Sequence, residues 1–461
     1  MIQNKLFNEI RNKNIFTLAK DYGLEYLETV FERNVFPDKT ALKNLSKFDE
    51  PLSDGFTSSG EILKKLNEFG APASVAQVGG RYFGFVDGGV VPAGLSSRLL
   101  SDFWDQNTAM YAMSPIASKL ETVVQKWLRE LFRLPETTVA GFVSGSSMAT
   151  FCGLAAARYR ILQRNEWDIN QKGLYGAPRV RIVTGNQAHS TVIKAVTLLG
   201  MGKGNIEFAE TDSQGRIIPE KIPPLDSNTI LILQAGNVNT GSFDDFKTIC
   251  EKAVSARPWI HIDGAFGLPC RAVNELKHLT SGMEMADSWS FDGHKTLNTP
   301  YDNGIILCND EEALTASLRM SGPYIGQNEN RDGILYTPEM SRRARIIELW
   351  ATLKSLGKIG IGEMIYGMHL RAKQFAKELK DADFEILNEI HFNQVLVHYR
   401  DNETTLKILK KVQELGICWC GSSKWGGKDV IRISVCSWAT TEKDITLSAE
   451  SFIKARELLL A

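Results

Sequence analysis

The segment Trp259-Ile260-His261-Ile262-Asp263-Gly264-Ala265-Phe266-Gly267 joins an apolar run to a carboxylate and a group of small residues. A short apolar run that ends at Asp and Gly is typical of a buried strand followed by a turn. Open α/β sheets bind ligands beyond the carboxyl ends of their strands, so Asp263 is a candidate ligand-binding residue. On this segment alone, a turn-forming Asp before Gly is the alternative interpretation.

Similar apolar runs lie on both sides of this segment and alternate with helical patterns. The pattern predicts strands over 180–184, 229–233, 259–262 and 304–308, and helices over 191–199 and 243–254. Strands that are separated by helices and lack polar alternation predict a parallel sheet covered on both faces. We therefore expect an α/β domain in this part of the chain.

The two ends of the chain show different patterns. Residues 1–85 are charged and amphipathic, with apolar side chains at helical spacing over 62–69. The last part of the chain predicts a helix over 367–380, strands over 384–387, 394–399 and 430–435, and a terminal helix, which suit a smaller α+β domain. The predicted organisation is an N-terminal helical segment (1–85), a large domain (86–350) and a small C-terminal domain (351–461); the resemblance described below implies that the first is a helical arm and dimerisation segment.

The composition of the 461 residues is ordinary for a globular protein, with 43% hydrophobic and 23% charged residues. Lys and Arg number 53 against 54 Asp and Glu, so nothing in the balance predicts a nucleic-acid partner. No apolar run approaches the roughly 18 residues of a spanning helix, and we expect no membrane partner. Seven cysteines are too few for a disulfide scaffold, which favours reduced thiols and a cytoplasmic location.

Four motifs carry candidate chemistry. Ser146 and Ser147 open a predicted helix, where backbone N–H groups and hydroxyls suit a phosphate, or simple N-capping. His189 lies between a strand and a helix, where an imidazole can stack on a flat ring, transfer protons, or occur incidentally. Lys295 follows a further strand and can form a Schiff base with an aldehyde, or be a solvated surface charge. With Asp263 to hold a proton on a heteroaromatic nitrogen, the set matches the needs of pyridoxal 5'-phosphate (PLP).

In order and spacing, the phosphate turn, His189, Asp263-Gly264-Ala265 and His294-Lys295 resemble the pyridoxal-dependent group II decarboxylases. That family includes aromatic amino acid, histidine and glutamate decarboxylases. The resemblance extends from about Tyr82 to at least Trp438. It implies PLP as the cofactor and the α/β fold of fold-type-I PLP-dependent transferases. In that fold, a large domain with a mostly parallel sheet joins a small C-terminal α+β domain and an N-terminal helical arm.

The resemblance also implies a role for each matching position. The implied cofactor contacts are Ser146, Ser147 and His294 at the phosphate, His189 over the ring, Ala265 beneath it, Asp263 at the pyridine nitrogen, Lys295 in the Schiff base, and Asn237 and Asp292 nearby. Lys295, His189 and Tyr324 would be catalytic, Tyr324 as the loop tyrosine that helps protonate Cα after carbon dioxide leaves. The chain departs from the family with Asn237 for the usual Thr, Asp292 for Asn, and Gly80-Arg81 for His-Pro.

The substrate contacts implied by the resemblance are Tyr82 and Phe83, and Arg432 is a third candidate. Arg432 lies in a predicted small-domain strand, where aminotransferases of this fold hold the α-carboxylate. The decarboxylases carry an arginine in a similar strand, and a salt bridge at the domain boundary would also account for this one. Aromatic residues near Tyr82 favour an aromatic side chain in the substrate, whereas Arg81 favours an acidic one.

We therefore expect a carboxy-lyase that decarboxylates an L-amino acid to the corresponding amine through a Schiff base on Lys295. A PLP-dependent aminotransferase or carbon–carbon lyase is the near alternative. A catalytically silent PLP-binding dimer is a further one, against which the presence of Lys295, Asp263 and His189 argues. The N-terminal segment resembles the family's arm that packs on a second subunit, which implies a homodimer with its active site at the interface. No metal is expected.

Overall fold

The computed structural model describes residues 1–320 and 329–460. Within these residues, the large domain is built on a seven-stranded sheet. Its strands are β1 (Val139–Val143), β2 (Arg181–Gly185), β3 (Ile206–Ala209), β4 (Thr229–Gln234), β5 (Trp259–Asp263), β6 (Ser288–Asp292) and β7 (Gly304–Cys308). They lie in the order β1-β7-β6-β5-β4-β2-β3, and the pairings among β2 to β6 are parallel. The α/β class with a mostly parallel sheet is confirmed.

The direction of β7 differs from the prediction. We expected residues 304–308 to run parallel with the other strands, but β7 is antiparallel to both β6 and β1. Residues 293–303 join β6 to β7 without a helix, and a parallel crossover needs a dozen or more residues. The short turn therefore forces the reversal, and this turn carries His294 and Lys295.

Helices precede, cover and follow the sheet. Their bounds are α1 (Ile2–Arg11), α2 (Lys13–Thr29), α3 (Lys39–Asn44), α4 (Ser59–Lys65), α5 (Pro92–Trp104), α6 (Pro115–Leu131), α7 (Ser146–Arg164), α8 (Ile169–Lys172), α9 (Ser190–Leu198), α10 (Phe246–Ala253), α11 (Glu311–Leu318), α12 (Ile346–Asp381), α13 (Asn402–Leu415) and α14 (Glu442–Leu460). One apolar cluster joins the sheet to α6, α10 and α12, and another joins it to α7, α9 and α11. Both faces of the sheet are thus covered, as fully apolar strands require.

The small domain contains a second, four-stranded sheet. Its strands are β8 (Glu385–Ile386), β9 (Gln394–His398), β10 (Gly421–Trp425) and β11 (Lys428–Ser434), all antiparallel in the order β10-β11-β9-β8. Its core packs against α12, α13 and α14. Helix α12 crosses the predicted boundary at residue 350 and is interrupted at Gly357, whose φ of 61° is outside the helical region.

A strand-like segment before the large domain also belongs to the small-domain core. The Phe83 N–H donates to the Trp419 carbonyl at 2.7 Å, and the Ser434 N–H donates to the Phe83 carbonyl at 3.0 Å. The Phe83 side chain is fully buried against Phe375, with ring centroids 5.3 Å apart. The chain therefore passes through the small domain before it enters the large one.

The N-terminal helices confirm the predicted helical pattern. Neither α1 nor α2 contains a buried residue, and α1 exposes Leu6, Phe7 and Ile10 by half or more. Phe16 of α2 contacts Phe103 of α5 edge to face, with ring centroids 5.4 Å apart. Among the described residues, none of the helices has the length and apolarity needed to cross a bilayer.

Candidate active site

A cavity of about 320 Å³ lies where β4, β5 and β6 end and α7 begins. Ligands bind at this edge in open α/β sheets. Eight of the residues singled out in the sequence line the cavity: Ser146, Ser147, His189, Asp263, Ala265, Asp292, His294 and Lys295. Residues separated by up to 149 positions are therefore brought to one site.

Lys295 is held at the cavity by a carboxylate. Its Nζ lies 2.9 Å from Asp292 Oδ2, and the side chain is only 21% exposed. Burial opposes the charged amine, but the carboxylates of Asp292 and Asp263 outweigh it and raise the pKa of Lys295. A lysine in this setting is not a solvated surface charge. It is an amine fixed in position at the base of a cavity.

Asp263 ends strand β5 and is 5% exposed. Its Oδ1 accepts a hydrogen bond from the Ala265 N–H at 3.2 Å, and the described residues provide no hydrogen-bond donor to Oδ2. Burial raises the pKa of Asp263, against the opposing charges of His189 and Lys295. A buried carboxylate oxygen without a protein donor suits a ligand that presents an N–H group.

His189 caps helix α9 and also lines the cavity. The Thr191 N–H donates to Nδ1 at 3.3 Å, and Thr191 Oγ1 lies 2.7 Å from the same atom. Because Nδ1 accepts, the neutral ring carries its proton on Nε2. Burial lowers the pKa of His189, which favours this neutral form at pH 7.

The start of helix α7 is an anion-binding geometry in which a carboxylate already takes part. Gly145 directly precedes the helix. A Cβ atom at Gly304 would lie 2.3 Å from the Cα of Gly145, so the end of β1 packs closely against the start of β7. The Ser146 N–H donates to Asp292 Oδ1. Asp292 is 2% exposed. Burial alone would raise the pKa of Asp292, but the charges of Lys295 and His294 hold it below its ordinary value.

His294 is fixed by contacts on both sides of its ring. Its Nδ1 accepts from the Asn303 N–H at 3.0 Å, and Nε2 lies 3.5 Å from Asp292 Oδ1. Tyr301 stacks on the imidazole, with ring centroids 4.2 Å apart. The Tyr301 hydroxyl in turn donates to Asp87 Oδ1 at 2.8 Å.

Tyr301 and Asp87 line the cavity, and the sequence analysis missed both. The two residues are 214 positions apart, so no local motif joins them. The useful signal was the run of small residues Gly88-Gly89 next to Asp87, because glycines allow close backbone contact. A Cβ at Gly88 would lie 2.1 Å from the Lys295 carbonyl oxygen.

Four of the predicted residues that the structure describes do not line this cavity: Asn237, Tyr82, Phe83 and Arg432. Asn237 is buried and its Oδ1 accepts from the backbone N–H groups of Asn239 and Thr240, which stabilises a turn. Tyr82 stacks on Trp419, with ring centroids 5.3 Å apart. Phe83 lies in the small-domain core described above. Gly236 and Val238, on either side of Asn237, line the cavity instead.

Arg432 and Arg81 differ in the hydrogen-bond partners of their guanidinium groups. Arg432, on β11, is largely buried, and its Nε has no hydrogen-bond partner among the described residues. Burial lowers the pKa of Arg432, and its charge lowers the pKa of nearby His189. Arg81 donates to the carbonyls of Phe31 and Arg33, so it does not face the cavity. Tyr324 lies outside the described residues.

The fold is the α/β fold of the fold-type-I PLP-dependent enzymes. The structure resembles the Oryza sativa TDC solved with PLP and tryptamine, at a TM-score of 0.89 and 20% identity over 98% of this chain and 99% of that one. It also resembles Catharanthus roseus tryptophan decarboxylase solved with L-tryptophan, at a TM-score of 0.84 and 20% identity over 95% and 96% of the two chains. These likenesses establish the fold.

The sequence gives the family. A model of the pyridoxal-dependent decarboxylase conserved domain matches residues 79–400, and the chain belongs to this family. It is 25% identical to the aromatic-L-amino-acid decarboxylase of Bacillus atrophaeus over 92% of this chain and 91% of the relative. It is 26% identical to an acidic amino acid decarboxylase of Mus musculus over 69% of this chain. That match spans only 60% of the mouse protein's length.

The cofactor of the family is PLP, and the described residues fit it. The site offers a buried amine on Lys295, an Asp263 oxygen without a protein donor, and backbone N–H groups at a 19-residue helix. These are the groups that an aldehyde, a pyridine nitrogen and a phosphate require. The least favourable feature is the Asp292 carboxylate beside the helix, because it repels a phosphate unless it is paired.

Proposed function

We propose that this protein is an amino acid decarboxylase that converts an L-amino acid to the corresponding amine and carbon dioxide. The observation that supports it best is the shared cavity of Lys295 and Asp263, at the ends of neighbouring parallel strands. Membership of the decarboxylase family supports the reaction type. An aminotransferase would share the cofactor site, so the product distinguishes the two.

PLP, when bound, supplies an aldehyde for a Schiff base and a pyridine ring that withdraws electrons from the substrate Cα. Lys295 would provide the amine of that Schiff base. Asp263 would hold the proton on the pyridine nitrogen, since its free oxygen is buried and lacks another donor. Ser146, Ser147 and His294 would hold the phosphate. When the phosphate binds, the hydrogen bond from the Ser146 N–H to Asp292 would either remain or be lost.

The remaining residues would orient the substrate. His189 would cover one face of the ring in its neutral form, and Ala265 offers a small side chain on the cavity wall. Arg432 would attract the substrate carboxylate, because a buried guanidinium without a carboxylate partner gains most from a ligand anion. Orientation of the carboxylate bond then selects the bond that breaks. Tyr324 stays a prediction as the proton donor to Cα.

The test of this function has two parts. Purified protein is saturated with PLP, reduced with borohydride, digested and analysed by mass spectrometry, and we expect a pyridoxyl adduct on the peptide that contains Lys295. A panel of L-amino acids is then assayed one at a time, and we expect carbon dioxide and amine without an oxo-acid acceptor. Lys295→Ala should lose both results. Product formation only with an oxo acid would establish an aminotransferase instead.

We further propose a cytoplasmic homodimer whose active site lies at the subunit interface. The exposed apolar side chains of α1, and of Leu99, Leu100 and Phe103 on α5, support a second copy as the partner. All seven cysteines are buried and none forms a disulfide, which suits a reducing compartment. Light scattering should give twice the chain mass of 51.3 kDa. A mass of one chain at micromolar concentration would contradict the dimer.

A further inference from the structure

Asp87 is a carboxylate on the active-site cavity that the proposed mechanism does not use. Its Oδ1 accepts from the Tyr301 hydroxyl at 2.8 Å, and its Oδ2 accepts from Gln77 Nε2 at 3.3 Å. Both donors are neutral. Among the described residues, no Lys or Arg lies within ion-pair distance of Asp87. The half-buried carboxylate therefore has hydrogen bonds but no ion-pair partner among the described residues.

The position of Asp87 is fixed by its neighbours in sequence. The Gly88 N–H donates to the His294 carbonyl at 3.2 Å, and the Gly89 N–H donates to Asn298 Oδ1 at 2.9 Å. There is no room for a side chain at Gly88 against the Lys295 carbonyl. Asp87 is thus held beside the turn that carries Lys295.

The charges of the cavity disfavour an acidic substrate. Its described lining contains three carboxylates, on Asp87, Asp263 and Asp292, and a single lysine. Lys295 is paired with Asp292, and Arg81 is engaged elsewhere. A substrate with a second carboxylate would therefore approach Asp87 without a cation to compensate it, and like charges at short range cost free energy.

A cationic group would complete the surroundings of Asp87. Burial raises the pKa of Asp87, whereas the Tyr301 hydrogen bond and the charges of His294 and Lys295 lower it. A cation beside the carboxylate would stabilise the ionised form. The same cavity is also lined by the apolar side chains of Val86, Val238 and Phe266, which suit the methylene stem of a long basic side chain.

We propose that Asp87 determines substrate specificity and that the substrate is an L-amino acid whose side chain ends in a protonated amine or guanidinium. This inference rests on the proposed decarboxylase function, since it names the substrate class of the same site. Asp87 would pair with the terminal cation of the side chain, while the substrate α-amino group goes to the position of Lys295. The aromatic and acidic substrates considered from the sequence become the alternatives.

The test compares substrates that differ only in the side-chain charge. PLP-loaded enzyme is assayed with L-arginine against L-citrulline, and with L-lysine against L-norleucine, and L-glutamate and L-tyrosine represent the alternatives. We expect kcat/KM for at least one cationic substrate to exceed that of its neutral partner by about 10- to 100-fold, the usual value of a charged hydrogen bond. Asp87→Asn should lower this ratio to near one, and Asp87→Glu should retain part of it.

Asp381→Asn is the matched control, because Asp381 is exposed at the end of α12 and should leave the ratio unchanged. A preference of the parent enzyme for L-glutamate or L-tyrosine over every cationic acid would overturn the inference, even if no Asp87 variant folds. The inference would also be overturned if Asp87→Asn lowered kcat/KM equally for the cationic substrate and for its neutral partner. If a cationic acid alone changes the cofactor absorbance but releases no carbon dioxide, the specificity stands and the decarboxylase function fails.

Discussion

Replacing Asp292 by Asn should lower the stability of the cofactor-free protein and raise its affinity for PLP. The amide keeps the shape of the side chain and an oxygen that can accept from the Ser146 N–H. It removes the negative charge beside Lys295 Nζ, which lies 2.9 Å from Asp292 Oδ2. The two effects arise from two contacts of the same carboxylate, so one variant measures both.

The first effect is a loss of stability. At an effective dielectric constant of about 20, unit charges 2.9 Å apart attract by about 6 kcal/mol before the cost of burial is subtracted. Removing one partner of a buried pair costs about 3–5 kcal/mol, and the partial exposure of Lys295 favours the lower end. The pKa of Asp292 lies below its ordinary value of 3.8, so this stabilisation is present at higher pH and is lost only as pH falls below that region.

The second effect is a gain in cofactor affinity. Asp292 and the phosphate of PLP would use the same helix N-terminus, and their negative charges repel each other. A hydrogen bond to a charged group contributes about 1.5–3 kcal/mol, so releasing this competition should tighten PLP binding about 10- to 100-fold. We would measure thermal unfolding without PLP and the dissociation constant of PLP by absorbance titration, with Asp381→Asn as control. Weaker PLP binding by Asp292→Asn would refute the reasoning.

Three further substitutions test other parts of the structure. Glu121 pairs with Arg331 at 3.0 Å and with Arg342 at 2.7 Å, all buried, so Glu121→Gln should lower the free energy of unfolding by about 3–5 kcal/mol in urea titrations. Burial raises the pKa of Asp244 to about 6, so the folded state binds a proton before the unfolded state does. From pH 7 to pH 5, the parent should therefore gain about 1 kcal/mol more stability than Asp244→Asn, measured by unfolding at both pH values. Gly304→Ala would place a methyl group against the backbone before α7, and it should cost about 1–3 kcal/mol and weaken PLP binding in the absorbance titration.

Most of the candidate site could be predicted from the sequence because the relevant residues follow strands. Asp263 ends β5, and Lys295 follows the adjacent parallel strand β6, so strand patterns alone bring them to one edge. Strand direction was less predictable. Apolar periodicity does not encode the direction of β7, and only the short connection over 293–303 could have indicated the reversal.

Side-chain direction was the other limit of the sequence. Tyr82 and Phe83 lie close to a cavity-lining segment, yet one stacks on Trp419 and the other enters the small-domain core. Successive residues of an extended chain point to opposite sides, so proximity in sequence does not place both at a site. Asp87, four residues after Phe83, lines the cavity itself and accepts a hydrogen bond from Tyr301 on a distant turn.

The course of residues 83–88 couples the two domains mechanically. The backbone of Phe83 is hydrogen-bonded to Trp419 and Ser434 of the small domain, and the backbone of Gly88 is hydrogen-bonded to the turn that holds Lys295. Five residues of chain span at most about 17 Å, so this connection has little slack. A rotation of the small domain would therefore displace Asp87. The opening of the cavity and the position of this carboxylate would then change together.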